Sequence, residues 1–271
     1  MGAWSGFPHF PLAEGLAILR LAACMSATTT KPEPPGPDWL TLPEGSRVLP
    51  FLVFMVFTSL PSSWYPGAEF WNYAIKTFAA AALLVWLRPW LPEMKWAVSW
   101  EAIAVGLGIA VLWLICDHWI PTSSQIWGWF ESGMARMPKI KPADPWNPVG
   151  YFAEVPALGW GLVAVRVIGR SVIVPMVEEV FYRSFIYRMF VDSAKFNQVE
   201  FSTYKPVAFY GTSILFGLAH GDLWIPGIIC GMAYQWLALR KNRLGDAMTA
   251  HGVTNLVISI WTIYRGDWRF T

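Results

Sequence analysis

Charge is scarce in this chain. Asp, Glu, Lys and Arg make up only 14% of its 271 residues, against about 25% in an ordinary soluble domain. The net charge is +2, so nothing in the balance signals a nucleic-acid partner. Cysteine is scarcer still: Cys24, Cys116 and Cys230 lie far apart and form no CxxC. That spacing excludes a disulfide framework and a thiolate metal site, and leaves small apolar core residues as the reading. There is no Walker motif, no GxGxxG, no HExxH and no GxSxG, which removes the usual signatures of nucleotide binding, zincin chemistry and serine hydrolysis. No internal repeat is evident, and no matching pair of interrupted segments suggests an inverted-repeat transporter.

Apolar and aromatic residues fill the space instead. Hydrophobic residues account for 55% of the chain, and 18 are Trp, a residue that concentrates at membrane–water interfaces. In lipid every backbone polar group must be satisfied internally, so the fold class is all-α, a polytopic transmembrane helix bundle. Apolar segments recur at 48–62, 72–90, 98–118, 157–191, 206–220, 223–240 and 246–265. Seven crossings follow, or eight if the N-terminal stretch inserts. The segment 157–191 exceeds the about 20 residues of one crossing and contains Arg166 and Arg170. Its first half reads as tilted or interfacial, its second half as the span. Residues 1–47 read as a leader followed by an irregular Pro-rich tail, with residues 1–24 preceding a second Met, Met25; residues 48–271 read as a single domain. The stretch 122–135 suits an amphipathic interfacial helix. Lys and Arg favour the loops on the side of residue 47, which predicts a cytoplasmic N-terminal side.

Against this background the stretch VPMVEEVFYRSFIYR, residues 174–188, is anomalous. A carboxylate at the centre of a membrane helix costs about 2.5–3.5 kcal/mol on insertion scales, and Glu178 and Glu179 are adjacent. Glu179 and Arg183 are four apart and share a helix face, so they can pair. Glu178 lies about 100° round the helix and has no partner on its own helix. Pro175 removes a backbone hydrogen bond and predicts a kink. Partners for Glu178 must come from other helices. His220 ends a Gly-punctuated helix, with Phe216 one turn before it. His251 and Asn255 are four apart on one face. His9 lies in the leader, and His118 ends a span beside Asp117. The bland readings are structural ion pairs for the glutamates, satisfied core imidazoles, and interhelical hydrogen bonding by the His–Asn pair. The sharper reading gathers Glu178, His220, His251 and Asn255 into one polar site able to do acid–base chemistry on a carbonyl. Depth is its weak point. Glu178 and His220 both lie about 20 Å from the inner ends of their helices. His251 is shallower, and its helix would have to begin inside the bundle.

The three stretches EEVFYR (178–183), FGLAH (216–220) and HGVTN (251–255) together resemble the EExxxR, FxxxH and HxxxN motifs, in order, of the CAAX-protease and bacteriocin-processing family of glutamic intramembrane proteases. The wider pattern of apolar segments is similar to a bacterial branch associated with exosortase sorting systems. The resemblance implies a metal-independent endopeptidase that uses no cofactor. It gives Glu178 the role of general base and has His220 position or activate the water. His251 and Asn255 stabilise the oxyanion, and Glu179 and Arg183 hold the base in place, with Phe216 as a supporting residue. Implied partners are a membrane-associated protein or peptide substrate, the lipid bilayer of a bacterial cytoplasmic membrane, and protein-sorting machinery. Two rivals stand beside it: a zinc protease with Glu178, His220 and His251 as ligands, and a non-catalytic scaffold or sorting partner.

Overall fold

The structure, a computed structural model, describes residues 42–119 and 146–268, and the leader and the 122–135 stretch lie outside them. Among the described residues there are seven long helices and no strand. They are α1 (Pro43–Thr58), α2 (Ala68–Leu87), α3 (Trp100–Trp119), α4 (Pro156–Val191), α5 (Pro206–Leu218), α6 (Trp224–Lys241) and α7 (Gly245–Arg265). Each coincides with one of the seven apolar segments. Helix α1 starts at Pro43, inside the stretch read as an irregular tail. Proline at the first helical position suits the orphan N–H there, and Ser46 and Arg47 are already buried.

The bundle is turned inside out relative to a soluble protein. Phe78, Val85, Val111, Leu218 and Ile260 face outward, while Glu179, Arg183, Gln235 and Asp246 are buried. That polarity suits a lipid surround, which has no reason to reject apolar side chains and every reason to reject charges. The segments Ala68–Trp90 and Pro156–Val191 are long and apolar enough to cross a bilayer, and α3 and α5 are shorter apolar helices. The chain is an integral membrane protein.

Small residues set the closest helix crossings, as lipid-embedded packing requires. Gly106 of α3 sits against α7, where an added Cβ would lie 2.6 Å from the Ala250 carbonyl oxygen and 2.7 Å from Val253. Gly217 of α5 meets α6 as closely, at 2.6 Å from the backbone of Ile228 and Trp224. These contacts seat α3 on α7 and α5 on α6.

Helix α4 is one continuous helix of 36 residues. It is not uniform. Gly169–Ile173 and Val180–Ile186 are π-helical and flank a short α-helical stretch, Val174–Glu179. Such π segments inside α-helices are rare and concentrate at functional sites.

Helix α7 begins inside the protein. Gly245 through Gly252 are all buried. The extended segment 91–99 crosses over this start. Thr249 Oγ1 donates to the Ala97 carbonyl at 3.0 Å, and Gly245 lies so close to Lys95 that a Cβ would come within 2.3 Å of its carbonyl oxygen. The depth mismatch for His251 is resolved as its sequence required: the helix starts deep.

The same end of the bundle holds a buried polar network. Arg47 contacts Glu93 at 2.7 Å and Ser184 Oγ at 3.0 Å, and Arg188 donates to Ser184 Oγ at 3.1 Å. At that end too, Glu101 of α3 pairs with Arg240 and Lys241 of α6.

The two α3 glycines make a sharp comparison. Gly106→Ala forces a Cβ into the backbone of α7 and is expected to cost about 1–3 kcal/mol. Gly108, two residues on, has no atom within 4 Å of a built Cβ. Gly108→Ala is expected to be neutral or slightly stabilising. Thermal unfolding of the two variants in the same detergent measures the difference.

Candidate active site

The charge arrangement is built on Glu179. Its side chain and that of Arg183 are both fully buried, with Arg183 Nε 3.1 Å from Glu179 Oε2. Arg183 Nη2 also donates to the Gly231 carbonyl of α6 at 3.1 Å, and the guanidinium lies 4.3 Å from the centroid of the Phe216 ring. The predicted pair therefore exists, and it ties α4 to α5 and α6. The other Glu179 oxygen reaches a third helix. His251 Nδ1 stands 2.9 Å from Glu179 Oε1. A carboxylate only accepts, so Nδ1 carries the proton. Nε2 is left as an acceptor in the neutral ring and as a donor in the imidazolium. Glu179 thus holds His251 rather than touching Glu178, which its spacing to Arg183 alone could not reveal.

The second histidine is fixed in the same sense. His220 Nδ1 lies 2.7 Å from the carbonyl oxygen of Phe216, one turn earlier in α5. A carbonyl can only accept, so Nδ1 donates and Nε2 is again the available atom. The Phe216 ring is 4.6 Å from the His220 ring and 5.9 Å from that of His251. A single aromatic side chain covers the arginine and abuts both imidazoles.

The backbone explains Asn255. In a π-helical turn the N–H of residue i donates to the carbonyl of residue i−5. For Arg170 that donor would be residue 175, which is proline and has no N–H. Asn255 Nδ2 fills the position, donating to the Arg170 carbonyl at 2.8 Å. Three residues earlier in α7, Gly252 packs on the adjacent carbonyl, where a Cβ would lie 2.6 Å from Ser171 O. Pro175, Gly252 and Asn255 thus form one device that docks α7 on α4. One N–H of the Asn255 amide and its oxygen remain uncommitted to that bond.

Glu178, Phe216, His220, His251 and Asn255 all line one cavity of about 250 Å³. Three different stretches of chain bring these residues together. Glu178 is half-buried, and its Oε2 has no hydrogen-bond partner among the described residues. Glu179 and Arg183 stand behind the cavity wall, not in it. The cavity is roomy enough for water. Among the described residues no three His, Cys, Asp or Glu side chains are grouped so as to hold a metal ion.

Two features escaped the sequence reading. The Tyr234 ring stacks on His251 with centroids 5.1 Å apart and planes 18° from parallel. Its hydroxyl donates to Thr254 Oγ1 at 2.7 Å, and Thr254 in turn bonds to the Gly106 carbonyl at 2.9 Å. Tyr234 lies in an ordinary apolar helix with no motif around it, so only the folded contact reveals it. Arg166 and Arg170 also line the cavity. They had been set aside as marks of an interfacial half-helix.

Comparison with known proteins agrees with the geometry. Residues 160–257 match the family model described as type II CAAX prenyl endopeptidase Rce1-like. Over these residues the chain is similar to that family. The matched span runs from within α4 into α7 and contains every residue of the three motifs. No curated protein and no solved structure matches the chain.

The Pro175–Asn255 device is testable by a double-mutant cycle. Asn255→Ala leaves the Arg170 carbonyl unpaired and is expected to cost about 1–2 kcal/mol. In a Pro175→Ala background the new N–H can reach that carbonyl, so the same substitution should cost clearly less. Unfolding measurements on the four proteins check the coupling, and strict additivity would contradict it.

Proposed function

We propose that the protein is a metal-independent glutamic intramembrane endopeptidase that cleaves a peptide bond of a membrane-associated protein or peptide, with Glu178 as general base. The observation that carries this reading is the shared cavity. A partner-free carboxylate, two imidazoles with Nε2 available and a partly committed amide all face one space.

The chemistry follows from these atoms. Glu178 takes a proton from a water held between it and His220 Nε2, and the water oxygen attacks the scissile carbonyl carbon. The carbonyl π electrons move onto oxygen, and that oxyanion accepts from His251 Nε2–H, as imidazolium, and from the free N–H of Asn255. Donors fixed before the reaction stabilise developing charge without reorganising, and one such donor is worth about 2.7–4 kcal/mol of barrier. Collapse breaks the C–N bond, and the proton on Glu178 passes to the departing amine. One water is consumed, giving a carboxylic acid and an amine. Arg183 holds Glu179 in place, Glu179 accepts from His251 Nδ1–H and so aims Nε2, and Phe216 and Tyr234 set the ring positions. For the membrane, we favour the bacterial cytoplasmic membrane, with the end bearing Arg47, Arg188, Arg240 and Lys241 inside, in keeping with the bias of cationic loops.

The test has two stages. Comparative mass spectrometry of membrane-protein termini, with and without the active protein, identifies a cleaved substrate. On that substrate Glu178→Gln, His220→Ala and His251→Ala should each abolish cleavage while the chain still inserts. Asn255→Ala should lower the rate by a smaller factor, and a chelator should leave the rate unchanged. Normal cleavage by Glu178→Gln would remove the general base. Loss of activity on chelation, restored by zinc, would favour a metalloprotease.

A further inference from the structure

The end of the bundle that bears Arg47, Arg188, Arg240 and Lys241 carries a second cavity, separate from the one holding Glu178. It encloses about 400 Å³, with Glu93, Lys95, Trp96, Asn242 and Arg243 among its lining residues. Its walls are the extended segment 91–99 and the turn between α6 and α7. Uncommitted donors collect there. The Lys95 side chain is exposed, and among the described residues no carboxylate lies within ion-pair reach of it. Arg243 commits Nε to Asp246 at 2.6 Å, and its Nη groups have no partner among the described residues. Asn242 Oδ1 accepts from the Ser202 N–H at 2.9 Å, which leaves the Nδ2 donors uncommitted. Glu93, the one carboxylate among the lining residues, is held by Arg47 at 2.7 Å and accepts from the Ser184 hydroxyl. Behind the wall, the Arg188 guanidinium carbon lies 5.1 Å from the ring centroid of Phe201, another lining residue, and Arg188 Nε is buried without a partner. Lys95, Arg243, Arg47 and Arg188 outnumber Glu93 and Asp246. Counting Glu200 as well, which accepts from Ser202 Oγ beyond the lining, still leaves a positive surplus. Depth is marked by tryptophan. Trp86, Trp96 and Trp100 are exposed along this stretch, and exposed Trp belongs at the membrane–water interface. The cavity therefore stands at headgroup level.

We propose that this cavity binds the phosphate of an anionic phospholipid headgroup, held between Lys95 and the Asn242–Arg243 turn. A phosphodiester presents only acceptors, and ammonium, guanidinium and amide N–H groups present only donors, so the two sets are complementary and the bonds are charge-assisted. Anionic lipids of the adjoining leaflet supply such headgroups at the required depth. The ligand would join two pieces of chain that control one helix. The main chain of segment 91–99 crosses the start of α7, with a Cβ at Gly245 coming within 2.3 Å of the Lys95 carbonyl oxygen and Thr249 Oγ1 donating to the Ala97 carbonyl. The Trp96 ring lies 3.4 Å from a Cβ built on Gly252, the residue after His251. A headgroup that ties Lys95 to the α6–α7 turn thus fastens the segment over the helix that carries His251. The site does not rest on the endopeptidase reading and stands whether or not the protein cleaves a peptide.

The experiment reads lipid binding directly. The full chain in a neutral detergent is titrated with phosphatidylglycerol or with phosphatidylcholine of the same acyl chains, and bound lipids are counted by native mass spectrometry. The first phosphatidylglycerol should bind about fivefold or more tightly than phosphatidylcholine. Lys95→Gln removes a side chain that pairs with nothing in the protein and leaves the main-chain contacts of the segment in place, so the variant folds. It should weaken phosphatidylglycerol about fivefold and leave phosphatidylcholine unchanged. Lys195→Gln removes an exposed cation at the same end, outside the cavity, and should change neither. Hydrogen exchange gives a second readout that general surface charge does not move. Phosphatidylglycerol should slow exchange of the amides in 94–97 and 245–249 in the parent protein and not in Lys95→Gln. Equal binding of the two lipids, equal weakening by Lys95→Gln and Lys195→Gln, or exchange that ignores phosphatidylglycerol overturns the site. Inorganic phosphate protecting the same amides in a protein with no lipid preference would assign a free anion and overturn the lipid.

Discussion

The arrangement depends on a single carboxylate held between two cationic or proton-donating partners in the dry centre of the bundle. Glu179 is fully buried, and its oxygens engage Arg183 of its own helix and His251 of α7. Removing one partner of a buried ion pair strands the other and costs about 3–5 kcal/mol. The cluster is therefore hard to dismantle piecemeal, and each member fixes another: Arg183 ties Glu179 to Phe216 and to the backbone of α6, and Glu179 fixes the tautomer and the plane of His251. Adjacent glutamates thereby divide the work. Turning about 100° round the helix takes the chain from an acid that organises three helices to one that faces the cavity with a buried oxygen and no hydrogen-bond partner among the described residues.

Backbone defects serve the same end. A regular α4 would satisfy its own carbonyls and offer α7 nothing to hold. Two π-helical stretches and Pro175 leave carbonyls facing sideways. Gly252 approaches one of them closely, and Asn255 bonds to another. The helix carrying His251 is thus registered against the helix carrying Glu178 by main-chain atoms. Its buried start, covered by the extended 91–99 segment, puts His251 at the right depth.

Much of this was legible in the residues. The scarcity of charge and the seven apolar segments gave the bundle, because burying polar backbone in lipid leaves few alternatives. The spacing of Glu179 and Arg183 gave their pairing, because helix geometry is local. Residues from all three motifs line one cavity. What stayed hidden was non-local or conformational. Nothing in the spacing of Glu179 says that its second oxygen faces α7. Pro175 looked like a kink, whereas its role lies in the missing i−5 donor that Asn255 replaces. Tyr234 is one aromatic among many until it is seen stacked on His251. Arg166 and Arg170 fell in a half-helix read as tilted or interfacial, and only the folded chain shows that both line the cavity.

The bond between Glu179 and His251 can be observed without any substrate. Nitrogen-15 NMR of histidine-labelled protein in micelles reports which ring nitrogen carries the proton. His251 should show a protonated Nδ1 in a strong hydrogen bond, and Glu179→Gln should abolish that signature while leaving His220 on its own carbonyl unchanged. A His251 ring protonated only at Nε2, or one indifferent to Glu179→Gln, would contradict the arrangement on which the proposed chemistry stands.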